Sequence, residues 1–364
     1  MSTYGATAAL QIRDICECLG LESHTTSIQA LFARLAGSWV DHRIDRGPLW
    51  ASDLTDDHTP YEFSVAFRPD RAEVRMLVEA QKPVGSARDQ WYAGLRLQDE
   101  LTSTLALNRE QFDLIRPLFV PGSDSPARFA LWHAVVFDPG GKHLTKVYLN
   151  PAVGSTTSAY LRVRSALLAL GYDRAVASIA RLSDGYHPPC YLSLDLTDTG
   201  ARVKVYLAQR SKTAAAYVEH LARVSPEAAD DASRLLKRFI ASGQELGRRP
   251  LLTCLGFRRD SFVPEVTTHF PVRCYVESDQ QSLDIIGPQL SPFAFRQLRA
   301  LVQRMARGPL RASRGRVTYV SCGRSAGSLR HTVYIAPCCH TARARSVEAA
   351  RPAWSSAQGA TFEV

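Results

Sequence analysis

At 364 residues with 45% apolar side chains, the chain can fill one large core or two ordinary ones. Its net charge of +9, from 44 Lys+Arg against 35 Asp+Glu, suits nucleic acid, an acidic membrane or an anionic small molecule. The cations are scattered, however, and no run of five or six forms a nucleic-acid arm. The cysteines at 16, 18, 190, 254, 274, 322, 338 and 339 form no CxxC pair, and Cys338-Cys339-His340 is too compact for a tetrahedral zinc site, so free thiols in a reducing compartment are expected. Arg13, Asp14 and Glu17 argue against a secretory signal, and no apolar run approaches the roughly 18 residues of a membrane span. The expectation is a soluble cytoplasmic protein.

Helical spacing covers residues 7–20 (Leu10, Ile15, Leu19) and 26–40 (Ile28, Leu31, Leu35, Val40), with Gly20 and Gly37 as stop signals. After a loop from Gly47 to Pro60 comes an alternating strand, Tyr61 to Phe67, a turn at Arg68-Pro69-Asp70-Arg71 and a second strand carrying Arg75. The same two-helix, two-strand text then recurs. Helices are expected at 86–103 and 108–119, with strands at 129–137 and around Lys146 and Tyr148. The third unit has helices near 156–170 and 173–182, strand 190–196, a turn at Thr197–Gly200 and strand 201–207. The fourth has helices at 211–224 and 226–243, strand 251–258 and a strand carrying Arg273 and Tyr275. The fifth has helices at 278–287 and 291–307, strand 315–321, a Gly/Ser loop at 322–328 and a strand carrying Tyr334. Residues 341–364 show no periodicity and are read as a disordered tail following one domain at 1–340.

The second strand of each unit repeats. Thr145-Lys146-Val147-Tyr148-Leu149 reappears as Arg202-Val203-Lys204-Val205-Tyr206-Leu207, as Val272-Arg273-Cys274-Tyr275-Val276, and in weaker form as Thr332-Val333-Tyr334-Ile335 and Val74-Arg75-Met76-Leu77-Val78. The intervals between Tyr148, Tyr206, Tyr275 and Tyr334 are 58, 69 and 59 residues. Alternation puts cations and tyrosines on one face and Val/Leu on the other. Five ααββ units predict ten antiparallel strands that close on themselves with helices outside. A ten-stranded barrel is wider than side chains fill, so a polar, cationic, tyrosine-lined chamber is expected inside it.

The ordered set Thr59-Pro60-Tyr61-Glu62-Phe63-Ser64, Val74-Arg75, Lys146-Val147-Tyr148, Arg202-Val203-Lys204-Val205-Tyr206, Arg273-Cys274-Tyr275, Tyr319 and Tyr334 resembles the dimethylallyltryptophan synthase family of aromatic prenyltransferases, and a bacterial member more than a fungal one. The resemblance spans residues 25–337 and implies the α/β ABBA barrel. It also implies transfer of a dimethylallyl or longer prenyl group from an allylic diphosphate to an indole, tryptophan above all. On this reading Arg75, Lys146, Arg202, Lys204 and Arg273 hold the diphosphate, since arginine forks and lysine charges stabilise a departing pyrophosphate. Tyr148, Tyr206, Tyr275, Tyr334 and Tyr319 shield the allyl cation with their ring faces. Glu62, with Lys146 as the other catalytic candidate, accepts the indole N–H; the alternative for Glu62 is an ion pair with Arg75. Asn150 and His187 mark the acceptor's amino-acid end, and Asn150 departs from the tyrosine common in fungal members.

Asp56-Asp57 and Asp230-Asp231 both lack the downstream acid of a DDxxD cluster, and no glycine-rich phosphate loop is present. Catalysis without a cofactor or essential Mg2+ is therefore expected, with no nucleic-acid or membrane partner. Two rival readings stand beside it: a barrel that binds an anionic ligand without turning it over, and a basic nucleic-acid-binding repeat protein.

Overall fold

The ten strands hydrogen-bond into one closed antiparallel barrel in the order β1-β10-β9-β8-β7-β6-β5-β4-β3-β2. The computed structural model describes residues 2–68, 71–80, 85–154, 159–183, 187–197, 202–241, 244–246, 249–259, 261, 263–306, 308–325 and 327–340. The expected tail at 341–364, and parts of the turns expected at 68–71 and 197–200, lie outside those residues. The first unit comprises α1 (Tyr4–Leu19), α2 (Thr25–Ala36), β1 (Tyr61–Phe67) and β2 (Ala72–Glu79). The second comprises α3 (Ala87–Leu105), α4 (Glu110–Ile115), β3 (Leu131–Phe137) and β4 (His143–Leu149). The third is α5 (Ala159–Ala169), α6 (Asp173–Leu182), β5 (Pro189–Asp195) and β6 (Val203–Gln209). The fourth is α7 (Ala214–Ala222), α8 (Pro226–Phe239), β7 (Leu251–Phe257) and β8 (Glu265–Phe270), and the fifth is α9 (Asp279–Ile286), α10 (Pro292–Met305), β9 (Val317–Ser325) and β10 (Ser328–Ile335).

The helices begin where the chain supplies caps. Ser225 accepts a hydrogen bond from the Ala228 N–H ahead of Pro226 in α8, and Ser86 and Asp89 form a capping box on α3. Their apolar stripes then bury against the barrel's outer face. Ala232, Leu235 and Leu236 of α8 are at most 1% exposed, and so are Val203, Val205 and Leu207 of β6 beneath the helix layer. Leu236→Ala would cost about 2–5 kcal/mol by leaving a cavity there. Gly94 marks the closest approach of α3 to the sheet, because a Cβ there would lie 2.9 Å from the Leu131 side chain. With helices covering the Val/Leu face, the other face of every strand turns inward, and both faces of β1 and β6 are buried along their whole length.

One strand differs from the sequence expectation. β8 ends at Phe270, and Val272–Cys274 forms a 3-10 turn, so Arg273 and Tyr275 are not on a strand. Pro271 is the reason, since it has no N–H to continue the ladder. The inward position in that strand belongs to His269, paired with Ser321. Counted through His269, the intervals from Tyr206 and to Tyr334 become 63 and 65, more even than those through Tyr275. β9 likewise runs on to Ser325, into the expected Gly/Ser loop.

Candidate active site

Strand register decides which side chains meet inside the barrel. Ser64 opposes Arg75 and also Tyr334 across the closure, Lys146 opposes Asp195, and Ser193 opposes Lys204. Arg75, Lys146, Arg202 and Lys204 thus face one another, and Arg330 of β10 joins them. Arg330 stands four residues before Tyr334, as Arg202 stands before Tyr206, so its inward parity was present in the sequence. Each cation is felt by the others. Burial lowers Lys146 to about 8 although Asp195 pulls it back up, and burial with Lys146 alongside takes Lys204 well below the usual lysine value. Burial, with Arg75 and Arg68 nearby, brings even Arg330 down to about 10.

Two carboxylates interleave with this tier. Asp195 lies 2.9 Å from Lys146 Nζ and 2.9 Å from Arg202 Nε, and Glu265 lies 3.2 Å from Arg202 and 3.2 Å from Arg258. Burial works to raise the Asp195 carboxyl, yet Lys146, Lys204 and Arg202 together hold it well below the usual range. Among the described residues, Lys204 and Arg75 have no carboxylate within 4.0 Å. Asp195 was not anticipated, although its alternation with Ser193 and Tyr191 on β5 gives it inward parity.

Against the cations lies an aromatic tier. Tyr148 and Tyr206 have centroids 6.0 Å apart, Tyr191 and Tyr206 5.8 Å, Tyr206 and His269 5.6 Å, His269 and Tyr334 5.7 Å, and Tyr334 and Tyr319 6.2 Å. The Tyr334 hydroxyl is 3.2 Å from His269 Nδ1. Burial, reinforced by Lys204, Arg75 and Arg330, holds His269 down to about 3, so the ring is neutral. Tyr191 and His269 are additions to the expected tyrosines. Trp132 extends the tier, 5.5 Å from Tyr191 and stacked 3.8 Å from Phe129.

Glu62, the second residue of β1, lies beyond this belt. It is 9% exposed and accepts a 2.9 Å hydrogen bond from the Thr318 hydroxyl. Burial pushes its carboxyl up to about 8, with Asp56 raising it further and Thr318 and Arg249 opposing. No ion pair joins Glu62 to Arg75 among the described residues; Leu77, not Arg75, is its register partner on β2. Asp56 sits between Arg249 (2.6 Å) and Arg273 (2.7 Å), and the Arg249 guanidinium lies 5.8 Å above the Tyr319 ring. Arg273 is therefore at the Glu62 end, away from the cation tier. Tyr275 packs on Phe270 (5.0 Å) in the main core. His187 stacks at 4.4 Å on His220 of α7, in the helix layer. The Asn150 side chain donates to the Phe129 carbonyl and accepts from the Ala152 N–H, holding the end of β4.

No group of three or more His, Cys, Asp and Glu among the described residues is placed to hold a metal ion, and no described helix is long and apolar enough to cross a membrane. What the interior offers is a cluster of cations suited to a leaving anion, facing rings suited to a carbocation, with the protected Glu62 carboxyl beyond them.

A closed barrel of ten antiparallel strands ringed by paired helices, with this interior, is the architecture of the ABBA prenyltransferases, and the chain is a prenyltransferase acting on an indole ring. It belongs to the tryptophan dimethylallyltransferase family, whose sequence profile matches residues 34–286. It is similar to PriB, solved with product diphosphate, at 30% identity and a TM-score of 0.82 over 93% of this chain and 97% of that one. It is also similar to 5-dimethylallyl tryptophan synthase from Streptomyces coelicolor, solved with DMASPP and Trp, at 27% identity and a TM-score of 0.83 over 95% and 98% of the two chains. AnaPT from Neosartorya fischeri, at 14% identity and a TM-score of 0.75 over 93% and 95%, shares the fold. No curated protein sequence matches the chain.

Proposed function

We propose that residues 1–340 form one catalytic unit that joins dimethylallyl diphosphate to tryptophan, or to a compound derived from it, without a metal ion. The observation that carries this reading is the stacking of the cation tier directly against the aromatic tier inside a closed barrel. Arg75, Lys146, Arg202, Lys204 and Arg330 hold the diphosphate. The C1–O bond breaks with its electron pair leaving on the diphosphate, whose charge the cations stabilise as it grows. Tyr148, Tyr191, Tyr206, His269 and Tyr334 exclude water and present ring faces to the allyl cation, each worth about 0.5–2 kcal/mol. The indole π pair then forms the C–C bond, and loss of the ring proton restores aromaticity. Glu62 accepts the indole N–H, which favours its ionised form against the burial that opposes it, and it is a carboxylate available at that end to take the proton. The known complexes of PriB with L-tryptophan and dimethylallyl thiolodiphosphate support this pair of substrates. The eight cysteines are all free thiols, which supports a cytoplasmic enzyme, and no nucleic acid or membrane enters the scheme.

Incubation with dimethylallyl diphosphate and L-tryptophan in EDTA, followed by mass spectrometry, is expected to show a monoprenylated product, with added Mg2+ changing the rate only modestly. Activity abolished by EDTA and restored by Mg2+ would overturn the metal-free scheme. Diphosphate binding without turnover of any indole would favour a non-catalytic barrel.

A further inference from the structure

The cation tier is divided by its own counter-ions. Lys146 and Arg202 share the Asp195 carboxylate, whose side chain is 4% exposed and sits 2.9 Å from both nitrogens. Lys204 and Arg75 have no such partner among the described residues. A buried carboxylate between two cations orders their side chains, because ordinary rotamer freedom would leave a charge unpaired away from water. A diphosphate draws on the same two donors, and brings its own negative charge close to that of Asp195. Attraction to the cations and repulsion from the carboxylate therefore act on one ligand at one place. The chemistry yields inorganic diphosphate as a product, more highly charged than the prenylated substrate, so the repulsion is larger after the C1–O bond breaks than before.

We propose that Asp195 is a positioning residue that holds Lys146 and Arg202 in place for the substrate and weakens the grip of the tier on product diphosphate, setting the rate of its release. This rests on the cation tier being the diphosphate site. Asp195→Asn keeps the shape and hydrogen-bonding capacity but removes the charge. It is expected to bind inorganic diphosphate at least about tenfold more tightly by calorimetry, as loss of one like-charge contact in a shielded site implies. In kinetics it should lower the KM for dimethylallyl diphosphate and lower kcat, with a burst of prenylated product equal to one turnover before a slow steady state. A purely structural Asp195 would weaken binding and produce no burst.

Calorimetry with inorganic diphosphate needs no acceptor, so the two ideas fail separately. A wild-type protein that does not bind diphosphate removes the site itself. Wild-type binding that Asp195→Asn leaves unchanged or weakens overturns the role of Asp195 alone. Should Asp195→Asn fail to fold, Glu265→Gln removes the other carboxylate on Arg202 from the half-buried rim. It should tighten diphosphate in the same direction by a smaller factor, and unchanged or weaker binding there would equally refute the proposal.

Discussion

Glu62→Gln is expected to fold normally and to slow prenylation of tryptophan about a hundredfold, while a naphthol acceptor loses little. The carboxyl is buried at the end of β1 with Thr318 as its hydrogen-bond donor, so glutamine fits the same space and can still accept from that hydroxyl. What it loses is charge. An ionised carboxylate accepting the indole N–H strengthens its hold as positive charge spreads through the ring, so the loss falls on kcat more than on KM. Naphthol has no N–H to offer. Equal slowing of both acceptors would refute the N–H role and leave Glu62 as a structural partner of Thr318.

The burial of Glu62 also fixes a direction in pH. With its carboxyl pushed up to about 8, the group is mostly neutral at pH 7 and becomes ionised as pH rises. The kcat/KM for tryptophan, measured at saturating prenyl diphosphate, should therefore climb between about pH 7 and 9, and Glu62→Gln should flatten that limb. Saturating donor matters because Lys146, itself lowered to about 8, would otherwise lose its proton over the same range and weaken diphosphate binding. A bound diphosphate keeps that lysine charged. A flat wild-type profile under these conditions would mean that the ionisation of Glu62 does not limit the reaction.

The units, their helices and the inward parity of Lys146, Lys204 and Tyr206 were legible because a closed barrel with covered walls imposes a strict period of two on one face and apolar residues on the other. The same period turns Arg330, Tyr191 and Asp195 inward, but none of them repeats the Lys-x-Tyr text, and Asp195 opposes the pattern in sign. Arg273 and Tyr275 illustrate the opposite failure. Their local text matches the repeat, but Pro271 ends the ladder one residue after Phe270, and side chains past that point are aimed by the 3-10 turn. His269 could have been found from the spacing alone, yet it shares no residue type with its counterparts. The Asp56 contacts with Arg249 and Arg273 join segments about 200 residues apart, and no local periodicity encodes such a meeting.

Lys204→Met should raise stability and remove most of the activity at once. Lys204 is 8% exposed, faces Lys146 and Arg202, and has no carboxylate within 4.0 Å among the described residues. Burial and those neighbours disfavour its charge, so an ammonium held at this position works against the fold. Methionine of similar length removes that burden, and a gain of roughly 1–2 kcal/mol is expected, seen as a rise of a few degrees in Tm. The catalytic loss has the same origin. A cation already stripped of water and of any carboxylate in direct contact interacts strongly with a diphosphate as the C1–O bond opens. Removing it should lower kcat about a hundredfold, with a smaller change in KM. Arg202→Met is the control, because it takes one of two partners from the buried Asp195 and should lower Tm while also impairing turnover. Thermal unfolding by circular dichroism beside steady-state kinetics separates the cases. A Lys204→Met protein that is less stable than wild type and nearly as active would show that Lys204 supports the barrel and does not serve the leaving group.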